Sequence, residues 1–205
     1  EVSLIIDIND AITKVGNIDA ISRHKLALLY QKKSDYKKSL KILQEDKKRL
    51  TDNIYTAIVY IDGLIGLGRI DEAISTINSL INIKPLNKIL PLKLAEIYVD
   101  HKKGTLSIIE NLEQHADFYK LNPNYHRIMS KLYLDVNKTY ESSTHLADYY
   151  VLLDNSRLAI DVLENSSKSR QISSSDSEKL IDKKIEILCK HNRPLEPIFG
   201  EKTCN

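Results

Sequence analysis

Six histidines and two cysteines are the residues of this chain whose types could carry chemistry. A zinc site of the catalytic kind needs ligands spaced onto one helix face, as in His-x-x-x-His beside a glutamate. His24, His101, His115, His126, His145 and His191 nowhere stand at that spacing, and no Cys-x-x-Cys exists. Cys189, His191 and Cys204 form the one conceivable metal trio, one ligand short of the usual structural zinc site. The two cysteines could instead close a short disulfide loop around Pro194 and Pro197 in an oxidising compartment, or remain unpaired thiols. Gly66-Leu67-Gly68 is a turn and not a phosphate loop, because no strand precedes it and no lysine-serine pair follows. The expectation is a chain with no catalytic constellation, no cofactor and no metal.

The elements that would have to position such groups are specified by a repeat. From Gly68 to Pro85 the chain runs turn glycine, small residue at Ala73, apolar residues at Ile74, Ile77, Leu80 and Ile81, then a terminating proline. That pattern predicts one amphipathic helix with both ends marked. Stepping 34 residues either way from Ala73 reaches Ser39 before Leu40 and Ser107 before Ile108, each a small residue followed by an aliphatic one. The preceding helices keep the same beat, as Leu26-Ala27 with Tyr30, Tyr60-Ile61 with Leu64, and Leu94-Ala95 with Tyr98. The next step is 35 (Tyr98 to Tyr133, Ser107 to Ser142), and the one after is 17 (Tyr133 to Tyr150, Ser142 to Ala159). This period resembles the tetratricopeptide (TPR) repeat, and the half-length step implies one helix shared by two hairpins.

The fold expected is all-α, a TPR-like α-solenoid of antiparallel helical hairpins with about four to five repeats. Its parts are an N-terminal helix and linker at 1–17, repeats at 18–165, a Ser-rich connector at 166–177, a capping helix at 178–190 and an irregular tail at 191–205. Small side chains at the crossings (Ala27 with Ser39, Ala95 with Ser107, Ala147 with Ala159) let paired backbones approach. Ile61 is bulky where the pattern wants a small residue, so the second hairpin should cross more widely. The basic run at Lys37, Lys38, Lys41, Lys47, Lys48 and Arg49 is interspersed with Asp35, Glu45 and Asp46, which suits a solvated convex face; an anionic contact is the other reading.

In such a stack the first helix of each hairpin lines an inner groove. The positions are Ile21, His24, Leu28 and Gln31, then Tyr55, Ile58, Asp62 and Ile65, then Ile89, Leu92, Glu96 and Val99. Apolar surface of that extent marks either a site for an extended or helical protein segment, or a face buried against the chain's own neighbouring domain. A carboxylate clamp for chaperone tails is disfavoured, because of His24, Leu28, Val59, Ile89 and Lys93 only the last fits one. Lys and Arg number 30 against 28 Asp and Glu, a formal charge of +2, so nucleic acid is not the expected partner. No apolar run is long enough to span a membrane. The sequence opens at Glu1 without a methionine, which suggests a processed product or an excised piece and leaves a leader undecided.

The C-terminal half carries a narrower likeness. Asn122-Pro123-Asn124, Arg127 to Tyr133, the short step to Ala147-Asp148-Tyr149-Tyr150-Val151-Leu152-Leu153, then Leu158-Ala159-Ile160 and Leu180 to Ile185 together resemble the C-terminal repeat domain of BepA-type periplasmic zinc metalloproteases. Ser142-Ser143 stands where that family tends to have Ala-His, and Asp154-Asn155 replaces its usual turn glycine. The resemblance implies a periplasmic parent with a His-Glu-x-x-His protease domain that these residues do not contain. It further implies repeats that hold substrates or dock on outer-membrane protein assembly machinery, and it transfers no catalytic residue. The alternative is a free-standing TPR adaptor or secretion chaperone with no enzyme attached.

Overall fold

A computed structural model of the chain describes residues 20–44, 48–101 and 106–190, and these form twelve α-helices with no strand among them. The expected helix within 1–17, the tail at 191–205 and Lys47 lie outside the described residues. The chain divides into two compact units, Glu1–Leu90 and Pro91–Asn205. The first holds α1 (Ala20–Lys32), α2 (Tyr36–Gln44), the short α3 (Lys48–Asp52), α4 (Ile54–Gly66), α5 (Ile70–Ile83) and the start of α6 (Ile89–Asp100). The second holds the rest of α6, α7 (Leu106–Glu113), α8 (Ala116–Tyr119), α9 (Pro123–Asp135), α10 (Thr139–Leu152), α11 (Ser156–Ser167) and α12 (Ser174–Lys190).

One turn design recurs in both units. Ser34, Gly68, Asn137 and Asp154 each take the left-handed conformation, with φ of 59°, 72°, 59° and 57°. The residue after each donates its N–H back five residues: Asp35 to Tyr30 O at 2.9 Å, Arg69 to Leu64 O at 2.9 Å, Lys138 to Tyr133 O at 2.9 Å, Asn155 to Tyr150 O at 2.8 Å. That is the helix-terminating pattern that satisfies orphan carbonyls and reverses the chain within three residues. Ser34 and Gly68 are 34 residues apart, and Asn137 and Asp154 are 17 apart. Asparagines start the helices: Asn53, Asn87, Asn122 and Asn155 each accept backbone N–H bonds from the first turn of α4, α6, α9 and α11. Pro123 follows Asn122 at the first helical position, as its missing N–H predicts.

In the first unit α1 packs on α2, α2 on α4, and α4 on α5. Ala27, Leu43 and Val59 make the interior, with Tyr60 against them. Gly63 is needed where α4 meets α2, since a Cβ there would come within 2.8 Å of Leu40 Cδ2. Ile61 is wholly buried.

In the second unit α9, α10, α11 and α12 pack each on the next. Ile128, Met129 and Leu132 of α9 join Ala95, Ile109 and Leu112 in one interior cluster, with Tyr119 and Tyr125 stacked at 5.0 Å. Ala147, Ala159, Leu163, Leu180 and Ile187 form another, placing the predicted Ala147 and Ala159 crossing in the core. The Ser-rich connector is shorter than expected. Helix α11 continues through Ser167 and α12 begins at Ser174, because the serines find helical work: Ser173 Oγ accepts the Asp176 N–H at 3.1 Å, and Ser177 Oγ donates to Ser167 O at 2.8 Å.

Candidate interaction face and the histidine seam

The predicted inner positions divide by unit. On α1, Ile21 is 65% exposed and Leu28 38%, and on α4 Tyr55 is 65% exposed. Ile58, Asp62 and Ile65 are half-buried on the same helix. Helices α1 and α4 are bridged by His24 Nδ1 and Thr56 Oγ1 at 3.3 Å, and burial holds His24 below the usual histidine range. Gln31 is not a free groove residue. Its amide donates to Val59 O at 2.5 Å, tying α1 to the α4 backbone. Ile89, 38% exposed, is the remaining position in the first unit.

In the second unit the same pattern is largely consumed by packing. Leu92 lies against the α9 cluster, and Val99 is buried inside it at 8% exposure, which corrects its placement on an open face. The cause is the pair α7 and α9, whose Ile109, Leu112 and Ile128 share its cluster. Glu96 accepts from Lys93 Nζ at 3.1 Å and from an Arg127 guanidinium nitrogen at 3.4 Å, and Arg127 also donates to Asn124 Oδ1 at 2.7 Å. Lys93, the one residue that suited a carboxylate clamp, is thereby engaged within its own helix.

The described residues contain no group of three or more histidine, cysteine, aspartate or glutamate side chains arranged to hold a metal ion. His191 and Cys204 of the conceivable trio lie outside them. Cys189, at the end of α12, is disulfide-bonded.

What sequence spacing missed is a seam of polar side chains between α9 and α10. His126 Nδ1 stands 3.1 Å from His145 Nδ1, and His126 Nε2 stands 3.0 Å from the Lys120 carbonyl oxygen. Asp148 Oδ2 lies 3.7 Å from His126 Nδ1, while Asp148 Oδ1 pairs with Lys183 Nζ of α12 at 2.6 Å. The His145 ring is stacked on Tyr133 at 5.5 Å and meets Tyr125 edge-on at 5.7 Å. Burial above all, with the neighbouring His126 next, pushes the His145 pKa down to about 4. Burial likewise raises Tyr119 and Tyr125 to about 12, and raises Tyr133, whose hydroxyl donates to Glu113 of α7. One turn further along, Ser142 Oγ donates to Ser130 O at 2.8 Å, and Ser143 Oγ reaches Ser166 Oγ at 2.7 Å.

The missing signal was mirror symmetry about the turn. In an antiparallel hairpin, residues about equidistant from its midpoint face each other; here the midpoint lies near Val136, which pairs Ser130 with Ser142 and brings His126 to within one residue of direct opposition to His145.

No family model matches the sequence, and no curated protein matches it at a significant level. Among the described residues no helix is long and apolar enough to cross a membrane.

Proposed function

We propose that this chain is a TPR-type protein-interaction domain, the non-catalytic arm of a BepA-type periplasmic metalloprotease acting in outer-membrane protein assembly and quality control. The observation that carries the TPR part is the recurrence of one left-handed turn at a 34-residue step and again at a 17-residue half step. Buried small residues at the expected crossings, Ala27 with Ser39 and Ala147 with Ala159, support the same reading, whereas Ser107, expected opposite the buried Ala95, is exposed. The narrower assignment rests on the residues from Asn122 to Ile185 that resemble that family. In this reading the chain binds protein segments and performs no chemistry of its own, and the parent's zinc motif lies in another part of the protein.

The binding role is assigned to Ile21, Leu28 and Tyr55 of α1 and α4, the exposed apolar members of the predicted inner positions on those helices, because apolar side chains grouped on one face suit an extended or helical protein segment. A photo-crosslinking residue at Tyr55, with one at the exposed Lys37 of α2 as control, tests this in cells. Capture of an outer-membrane assembly component or an unfolded client from position 55 alone is the expected result. Capture of a covalently linked protease domain makes the face an internal interface, and equal capture from both positions sinks the assignment.

A further inference from the structure

The seam between α9 and α10 holds two imidazoles that the interaction role does not use. Their hydrogen bonds fix where the protons are. The Lys120 carbonyl can only accept, so His126 carries a hydrogen on Nε2 and, when neutral, a lone pair on Nδ1. His145 therefore donates its own Nδ1–H across the 3.1 Å gap. A first added proton is accommodated by exchanging roles: the added proton goes to His145 Nε2, the former Nδ1 proton of His145 passes to His126 Nδ1, and His126 Nδ1–H then donates to His145 Nδ1. The charge then sits on His126, 3.7 Å from Asp148 Oδ2.

A second proton has no such place. Both Nδ1 atoms would bear hydrogens aimed at each other across 3.1 Å, with two like charges in contact. The groups around the pair do not relieve this. Among the described residues Asp148 is the carboxylate set against it, and that carboxylate is already shared with Lys183 of α12 and lies in the field of Lys190. Glu113 of α7 is committed to the Tyr133 hydroxyl, and Tyr119 of α8 with Tyr125 of α9 stays neutral at these pH values.

We propose that His126 and His145 form a proton-operated latch between α9 and α10, closed while the pair carries at most one added proton and opened by the second. The low basicity of His145 agrees with this, since its neutral form is the one the folded seam holds. Opening would expose the α9 and α10 interior, including the Tyr125 and Tyr133 rings, in a mildly acidic compartment and leave it sealed at neutral pH.

Nitrogen-15 histidine spectra of the full chain test the latch directly. At neutral pH His145 should show the Nδ1–H tautomer and His126 the Nε2–H tautomer; an Nε2–H tautomer on His145 while His126 is also neutral, or an ordinary titration of His145 near 6.5, overturns the proposal. Amide hydrogen exchange, corrected for intrinsic rates, reads the opening. Between pH 7.5 and pH 5 the opening of α9 and α10 should rise about 30-fold, the ratio of open-state to closed-state protonation for a group moved from 6.5 to about 4. His145→Asn keeps an N–H near the place of Nδ1 and cannot titrate, so its rise should fall to less than about threefold. A wild-type chain with no acid-dependent opening, or an equal rise in the variant, refutes the latch. If the variant does not fold, the wild-type tautomers and titration decide alone.

Discussion

The α1/α2 pair and the α9/α10 pair are built on the same turn and opposite principles of filling. The first closes over Ala27, Leu43 and Val59, and its one buried hydroxyl, Ser39 Oγ, has no hydrogen-bond partner. The second places Ser130, Ser142, His126 and His145 at its contact and gives each of them a hydrogen-bond partner, although Thr144 Oγ1 on α10 is left without one. Ser39 and Ser142 occupy the same position of the repeat, so the difference lies in the partner and not in the residue. The repeat asks for a small side chain at the crossing, and either polarity is tolerated once the backbones have come together.

The largest effect that separates the two regions is expected from the apolar cluster behind α10. Leu163 is fully buried among Ala147, Ala159 and Leu180, so Leu163→Ala should cost about 3 kcal/mol, read as a fall in Tm. Hydrogen exchange should place the loss in α10 to α12 and leave α1 and α2 protected as before. Uniform loosening of α1 and α2 would mean the two interiors do not act as separate units.

Next in size is pH. His145 has its pKa lowered from 6.5 to about 4 in the folded chain, so the unfolded chain binds a proton between those values and the folded chain does not. The stability it contributes is complete above pH 6.5 and is lost as pH falls toward 4, to a total of about 3 kcal/mol. His24 in the first unit is shifted the same way by burial, but it is half-buried and bonded to a neutral threonine hydroxyl. Its loss should be the smaller, so thermal unfolding followed from pH 7.5 to 4.5 should be markedly flatter in a His145→Asn variant than in His24→Asn. The reverse order would break the contrast between the two seams.

How much of this was legible differs between the two regions for a physical reason. Helix positions, the crossings at Ala27 and at Ala147 with Ala159, and the helix start at Asn122-Pro123 follow from local chemistry and a period, and both can be read along the chain, whereas Ser107 is exposed and not at the crossing its period implied. Val99 and Gln31 were misplaced because their orientation depends on which other helices arrive beside them. Val99 meets the α7 and α9 residues of its cluster, and Gln31 meets a carbonyl 28 residues away. The histidine seam was hidden because its members come from two helices, and spacing rules for metal or catalytic sites examine one helix at a time. The serines of 166–177 looked like a loop by composition, yet those that cap and bond α11 and α12 extend both helices.

The serine pair gives a sharper and smaller comparison. Ser39→Ala removes a buried hydroxyl that bonds to nothing and should raise stability by about 1 kcal/mol. Ser142→Ala removes a donor to Ser130 O and a contact with Ser130 Oγ, and should lower stability by about 1 kcal/mol. Denaturant midpoints at unchanged slope would show both. Two changes of the same sign would mean that a water or a rearranged rotamer satisfies Ser39 in solution.

The smallest contrast tests the turn that both regions share. Gly68 and Asp154 do the same job at φ of 72° and 57°, yet only one is a glycine. A Cβ added at Gly68 meets nothing within 4 Å, so Gly68→Ala isolates the cost of forcing a side chain into the left-handed region, about 1 kcal/mol. Asp154→Gly runs the substitution in the opposite direction at the place where the resembling family carries glycine. Its gain should be under about 1 kcal/mol, because aspartate tolerates this conformation better than most residues and glycine adds entropy to the unfolded chain. Opposite signs in the two variants would show that the turns are interchangeable parts of one repeat. A loss at Asp154→Gly would instead mean that the carboxylate holds its turn by a local bond, and that the half-length step is terminated by different chemistry from the full ones.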